Sequence, residues 1–470
     1  MIKLEESVTV ARPIDECFAY VADFRSSAEW DVSAYRAKKL TPGPIRQGSE
    51  FEVRCKLPLG FIDLLYTVRE YDAPKRISFD ASGWLFDAID TIEFVQEETG
   101  TRIDYSAEFN FKAPYGALEK SLLPGMQRMG RAAVRSLGRA LQDEFPTPST
   151  KRSTSSADRF LWPGIAMFTK WGYNRGRKHW RPVSASQRGK RVIVTGASSG
   201  LGLATAQSLA AKGAELILVM RNEKRAKEVV SDLIAETGNQ AIRYELADLA
   251  LMGDVDALAG RLLRENKPID VLVNNAGALF NERQETAEGL EQSFALLLLS
   301  PWRLTRALHP LLKAAGESRV INVVSGGMYT QALSVEQLQA QTKAYNGAVA
   351  YARCKRALTV VTEEWAKDWA DDGVVVNAMH PGWADTPGVE DALPGFHTIT
   401  KRVLRSPEEG ADTIVWLAAA SEAADVSGKL FLDREARTTH LLAKTRERPG
   451  QREKLLHFLE EFSIDTAQAA

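Results

Sequence analysis

The chain of 470 residues has a formal net charge of −1, with 44% hydrophobic and 26% charged residues. That balance removes any global pull toward nucleic acid or an acidic surface, and the composition is globular rather than disordered or fibrous. Cys17, Cys55 and Cys354 are too few for a disulfide framework or a zinc site, and the six histidines show no ligand spacing, so no metal is expected. The start, MIKLEESVTV, does not read as a signal peptide, and no apolar run reaches the roughly 18 residues of a spanning helix. A reducing cytoplasm is the expected location.

In chain order, residues 3–10 alternate with Leu4, Val8 and Val10 on one face and read as a strand. Pro13 opens a short helix ending near Phe24. Strand-like runs follow at 34–40, 48–57, 61–71, 75–81, 86–96 and 101–112. After Pro114, the spacing of Leu118, Leu122, Met126, Met129, Val134, Leu137 and Leu141 predicts one amphipathic helix. Antiparallel strands and one long helix bury their apolar faces against each other. The phrases SVTVARPIDECFAYVADFRSSAEWD and GPIRQGSEFEVR resemble the START/Bet v 1-like superfamily, polyketide cyclase/dehydrase branch, over residues 1–145. The resemblance implies an α+β helix-grip domain whose apolar cavity holds a lipid or polyketide. Trp30, Phe51, Trp84 and Phe109 either line that cavity or are plain core. No acid/base constellation is recognised in this part of the chain.

Residues 146–188 change character. PTPSTKRSTSSAD reads as a linker. RFLWPGIAMFTKWGYNRGRKHWRP mixes aromatic and basic residues, which suits either peripheral contact with a membrane surface or an arm packed on the next domain. The arm is favoured, because Pro163, Gly164 and Gly172 break the stretch.

From 189 to 470, strands and helices alternate, as a doubly wound parallel sheet of α/β class requires. The strand candidates are 191–195, 215–220, 241–245, 269–274, 318–324, 373–379 and 429–432. The first is followed by TGASSGLG and by a helix with Leu201, Thr205 and Leu209 on one face and Gly213 at its C-terminal end. Strand, glycine turn and helix bring free N–H groups and the helix dipole to a pyrophosphate. The second strand ends in Met220 and Arg221 where an enzyme using NAD usually offers an acid. A guanidinium can hold a 2′-phosphate, so NADP(H) is favoured over NAD(H). Asp248, followed by Leu249, stands at the carboxyl edge of the third strand. The fourth runs into NNAG, whose Asn275, Ala276 and Gly277 admit a cofactor. Ser325 ends the fifth strand. Tyr351 and Lys355 are spaced to share one helix face. A free tyrosine has a pKa of about 10, and a nearby cation moves it toward a value useful at neutral pH.

TGASSGLG, NNAG, Ser325, Tyr351 with Lys355, and HPGWADTP resemble the short-chain dehydrogenase/reductases over about residues 189–445. The long gap between Ser325 and Tyr351 is similar to the retinol-dehydrogenase-like branch. The resemblance implies that Tyr351 is the acid/base, that Lys355 lowers its pKa and holds the nicotinamide ribose, and that Ser325 positions the carbonyl. It implies a cofactor site made of Thr195, Gly196, Ser198, Ser199, Gly200, Leu201, Gly202, Arg221, Asp248, Leu249, Asn275, Ala276, Gly277, Pro381 and Gly382, with Tyr351 and Lys355. One departure stands out. The family carries an Asn in a phrase like F-x-x-N-x-x-G, where it holds a water in a proton relay to the Lys. Here the phrase is FALLLLSP, with Leu297 at that place, and no Asn lies between Asn281 and Asn322.

Trp383 to Arg405 reads as a loop covering the substrate, and its Trp383, Leu393 and Phe396 suggest an apolar molecule. Residues 453–462 read as a surface helix with Leu455, Leu456 and Leu459 facing in. The expected function is an NADP(H)-dependent oxidoreductase of a hydrophobic carbonyl or alcohol, with an N-terminal domain that binds a lipid or polyketide. One alternative is a lipid-binding or sensing protein with a weakly active or inactive dehydrogenase domain. Another is an N-terminal cyclase or dehydratase acting in sequence with the reductase. A homo-oligomer is left open.

Overall fold

A computed structural model of the protein describes residues 2–31, 33–57, 60–113, 119–142, 166–177, 180, 183, 186–339, 345–385, 400, 403–424 and 426–462. They cluster into two compact units, each built on its own sheet.

The first unit contains β1 (Ile2–Val10), α1 (Ile14–Ala22), β2 (Ala34–Lys39), β3 (Glu50–Leu57), β4 (Gly60–Asp72), β5 (Arg76–Ser82), β6 (Phe86–Glu97), β7 (Gly100–Phe111) and α2 (Glu119–Gln142). All strand pairs are antiparallel in the order β1-β7-β6-β5-β4-β3-β2. The period-2 pattern puts Phe86, Ala88, Ile92 and Phe94 of β6 on the inner face. Ala133, Leu137, Ala140 and Leu141 of α2, which packs along β1, belong to the same core. Inside, Phe24 packs 4.3 Å from Phe79 and 4.6 Å from Tyr66, centroid to centroid. Each such ring buried contributes about 1.5–3 kcal/mol. The four aromatic candidates divide. Trp30 and Phe51 are buried core, Phe109 is half-buried and edge-on to Phe86, and Trp84 is 58% exposed. Trp84 therefore lines no interior, because it belongs to the turn between β5 and β6. Leu118 lies outside the described residues, and so do the side chains of Leu122 and Met129.

The second unit carries α3 (Lys170–Arg177), β8 (Arg191–Thr195), α4 (Gly200–Ala211), β9 (Glu215–Met220), α5 (Glu223–Thr237), β10 (Ile242–Leu246), α6 (Met252–Glu265) and β11 (Val271–Asn274). It continues with α7 (Ser300–Ala314), β12 (Ser318–Val323), α8 (Gly347–Asp368), β13 (Val374–Met379), α9 (Pro407–Ala419), β14 (Leu430–Leu432), β15 (Glu435–Arg437) and α10 (Gln451–Glu460). The strand order is β10-β9-β8-β11-β12-β13-β14-β15, parallel except for the final hairpin. The central strands read as unbroken apolar runs because helices cover both faces. Strand order reverses between β8 and β11, so a crevice opens at their carboxyl ends, where doubly wound sheets hold their ligands. Leu455 and Leu459 of α10 are fully buried and Leu456 packs beside them.

Two features had no sequence counterpart. The β14–β15 hairpin turns at Asp433 and Arg434, with φ of 56° and 57°. That mirror-image turn is usually signalled by Asn-Gly; here Arg405 and Asp412 hold the two turn side chains instead. A π-helical turn, Ala295–Leu299, precedes α7.

Candidate active site

The crevice is built first by backbone approach. Gly196 has φ +68°, and a Cβ on Gly202 would stand 2.3 Å from the Gly196 carbonyl oxygen and 2.5 Å from Asn275 Nδ2. Only glycine allows β8, the turn and α4 to close this tightly. Ser199 precedes α4 without a side-chain cap, which leaves the first N–H groups of that helix to an anion. This cradle fits a dinucleotide pyrophosphate. The Thr195 hydroxyl donates to Val273 O and accepts from the N–H groups of Asn275 and Ala276. Asn275 Nδ2 returns to Thr195 O at 2.9 Å. These two residues therefore lock β8 to β11 and fix the edge on which Ala276 and Gly277 lie. Deeper, Asn274 Nδ2 donates to Thr305 Oγ1 and Asn322 Oδ1, and Asn322 Nδ2 donates to Thr362 Oγ1.

Ser198 and Leu201 flank the turn, partly buried, and Gly200 starts α4. Arg221 is exposed just after β9. A second guanidinium, missed in the sequence, stands nearby: Arg225 Nε donates to Ser198 O at 3.2 Å. Its only sequence signal is its place in the first turn of α5, where Asn222 accepts its N–H. Asp248 Oδ1 accepts from Ala250 N, and Leu249 beside it is buried.

Across the crevice, Ser325 caps a short turn and its Oγ accepts from Gly327 N at 3.3 Å. Tyr351 and Lys355 come from consecutive turns of α8. Burial pushes the Tyr351 phenol above its ordinary pKa, and its hydrogen bond with Ser325 pulls it back. Lys355 is 3% exposed, and burial pushes its pKa down to about 8. Its Nζ donates to Val323 O at 2.8 Å and lies 5.8 Å from the Tyr351 ring centroid. With the cleft unfilled, Lys355 therefore contributes nothing to the shift of the phenol. The ammonium is turned to a carbonyl, and Ser325 is the group acting on Tyr351.

Leu297 is fully buried in the π turn. A Cβ on Gly277 would lie 3.0 Å from Leu297 Cδ2 and 3.7 Å from Lys355 Nζ, so the leucine borders the lysine pocket. Beside it is a cavity of ≈ 10 Å³ lined by Lys355, Thr195, Asn274, Ser300 and four apolar residues of α7, α8 and the π turn among others. That is room for about one water.

The aromatic arm forms part of this face. Trp383 N donates to Phe168 O at 2.7 Å, and Lys170 N donates to Val403 O. The Phe168 ring meets His380 edge-on at 4.8 Å and Trp383 at 6.1 Å. Pro381 and Gly382 follow His380, whose Nδ1 accepts from Gly382 N. Burial with Arg405 and Arg437 pushes the His380 pKa down to about 3. Leu393 and Phe396 lie outside the described residues. Among the described residues no helix is long and apolar enough to cross a membrane.

Residues 190–394 match the family model described as short chain dehydrogenase, and residues 1–142 match the one described as polyketide cyclase/dehydrase and lipid transport. Dehydrogenase/reductase SDR family member 12 of Bos taurus is 41% identical over 304 residues, which are 64% of this chain and 95% of that protein. This chain belongs to the short-chain dehydrogenase/reductase family. Similarity extends to human retinol dehydrogenase 13, 35% identical over 53% of this chain and 78% of that protein. Mouse polyprenol dehydrogenase is 34% identical over 57% of this chain and 84% of that protein. As a short-chain dehydrogenase/reductase, the chain is an oxidoreductase acting on CH–OH or C=O groups with NAD(P).

Proposed function

We propose that this short-chain dehydrogenase/reductase uses NADP(H) to interconvert a carbonyl and an alcohol on a hydrophobic molecule, and that the N-terminal domain binds the same or a related lipid or polyketide. The domains run 1–145, 146–188 for linker and arm, and 189–470. The observation that carries the reading is the meeting of Ser325 and Tyr351 at the carboxyl edge of the sheet, one helical turn from Lys355 and opposite the glycine cradle.

The first turn of α4, with Gly196, Ser198, Ser199, Gly200, Leu201 and Gly202, holds the pyrophosphate. Thr195, Asn275, Ala276, Gly277, Pro381 and Gly382 shape the nicotinamide end, and Asp248 with Leu249 shapes the adenine end. Arg221 takes the 2′-phosphate, with Arg225 beside it. When bound, the nicotinamide supplies or accepts the hydride. Tyr351 gives a proton to the substrate oxygen in reduction and takes it back in oxidation. Ser325 fixes that oxygen by hydrogen bonding to it. Lys355, held by Val323, places its positive charge behind the phenol and favours phenolate when the cleft is filled. Phe168, Tyr329 and Trp383 offer an aromatic wall to an apolar substrate, and the names of the retinol and polyprenol dehydrogenases point to the same class.

The test is a titration with NADPH and with NADH, followed by turnover of hydrophobic ketones and aldehydes. NADPH is expected to bind at least tenfold more tightly than NADH, and Arg221→Ala is expected to remove that difference. Tyr351→Phe should lower turnover by about 10²–10⁴ while keeping cofactor binding; full activity in that variant overturns the assignment. A second reading, lipid binding with a weakly active dehydrogenase unit, is favoured by one observation, the buried Leu297 beside Lys355.

A further inference from the structure

We propose that the inner face of the N-terminal sheet contains a binding site for an apolar alcohol, whose hydroxyl is donated to Asp90 Oδ1 between Tyr66 and Tyr105. The inference rests on the reading that this domain binds a hydrophobic molecule, and it adds the polar group that recognises it. Asp90 stands in the inward row of β6 with Phe86, Ala88, Ile92 and Phe94, and is 3% exposed. Its cross-strand neighbours are Phe79 on β5 and Ala107 on β7, both fully buried. An aspartate in that row is costly unless its oxygens are satisfied.

They are only partly satisfied. Tyr66 and Tyr105 are its hydrogen-bonding neighbours, and Oδ1 has no partner. Both phenols are pushed well above their ordinary pKa by burial and by Asp90, so they remain donors. The other charged group acting on Asp90 is the Asp31 carboxylate; no cation contributes. Burial raises Asp90 to about 7. Two phenol donors thus leave one buried acceptor oxygen facing inward. A ligand hydroxyl supplies the missing donor, whereas a fatty carboxylate meets Asp90 and Asp31 as like charges. Tyr105 and Phe109 flank Ala107 in the inward row of β7 and are only partly buried, as are Leu85 and Met126 against the same core, so apolar surface is left for the remainder of the ligand.

The experiment is calorimetric titration of the full chain, at a pH above the value of about 7 to which burial raises Asp90, with 1-dodecanol, dodecyl methyl ether and sodium dodecanoate, in wild type, Asp90→Leu and Tyr105→Phe. The wild type is expected to prefer the alcohol to the ether by about tenfold, the worth of one hydrogen bond to a charged group. Asp90→Leu should lose that preference and keep ether binding, because leucine offers the ligand hydroxyl no acceptor. Comparison with the variant isolates this site from alcohol bound elsewhere. Should Asp90→Leu not fold, Tyr105→Phe decides: losing the phenol that holds the Asp90 carboxyl down favours the neutral acid, so the variant should keep ether binding and lower the preference severalfold. Equal binding of alcohol and ether to the wild type, or an unchanged preference in the variants, overturns the proposal while leaving the domain a lipid binder. Binding of none of the three probes overturns the lipid-binding reading itself.

Discussion

Arg405→Met should be among the most damaging single substitutions in the dehydrogenase unit, although Arg405 is outside the set of residues assigned to the chemistry. Its side chain is 2% exposed, and Nη1 and Nη2 pair with Asp433 Oδ1 and Oδ2 at 2.6 and 2.9 Å. The same guanidinium donates to Met167 O, Thr169 O and Pro381 O at 2.7, 3.2 and 3.2 Å. One residue therefore ties the arm, the turn after β13 and the β14–β15 hairpin together. Methionine fills much of the volume and makes none of these bonds. Asp433, 3% exposed as a side chain, is left as a buried carboxylate without its partner. Breaking such a pair from one side costs about 3–5 kcal/mol. Urea unfolding followed by tryptophan fluorescence measures it. The double variant Arg405→Met/Asp433→Leu should be less damaged than the single one, because the uncompensated charge is gone. A pH series adds a sign. Burial already holds the Asp433 pKa above its ordinary value, and losing Arg405 raises it further. A carboxyl whose folded pKa exceeds its unfolded pKa loses stability as pH rises, so the single variant should regain stability on acidification toward pH 4. A loss below about 1 kcal/mol in the single variant, or strict additivity in the double, would refute the reasoning.

Two further outcomes follow from the same face of the molecule. Leu297→Asn should destabilise the unit by about 1–3 kcal/mol, because it buries an amide in an apolar turn. If turnover does not rise in that variant, the leucine is not what limits proton supply, and the water-sized cavity by Ser300 and Lys355 becomes the route to test with Ser300→Ala. His380 gives an acid sensitivity. Its pKa is about 3 folded against an ordinary 6.5, so the unfolded chain takes up a proton that the folded chain refuses. Stability is fully present above pH 6.5 and should fall as pH drops from 6.5 toward 3, by on the order of several kcal/mol. His380→Gln should flatten that slope in thermal melts, and an unchanged slope would place the acid sensitivity elsewhere.

How much of this was legible depended on whether the signal was local. TGASSGLG and the Tyr351–Lys355 spacing are chain-neighbour patterns, so the cradle and the helix face were readable at once. The apolar runs of β8 and β9 were equally plain, since burial on both faces leaves no alternation to interpret. The β14–β15 hairpin was not readable. Asp433 and Arg434 take a positive φ while Arg405 and Asp412, distant in sequence, hold their side chains. The π turn gave no warning, since ALLLL has the same composition in a regular helix. The direction of the Lys355 ammonium also escaped the sequence, because spacing places Nζ on a face but does not say that Val323 O competes for it.

Asp90 belongs to a different class of miss. FDAIDTIEF lies in the strand-like run 86–96, and its alternation assigns Asp90 to the phase of Phe86, Ala88, Ile92 and Phe94. A charged residue in the apolar phase of a half-buried strand is a local conflict between pattern and environment. Such conflicts cost stability and gather where a protein meets a ligand. The preference for alcohol over ether is therefore the sharper half of that test. A purely structural aspartate would give no such preference, whereas a recognition group set in an apolar row loses it on replacement by leucine.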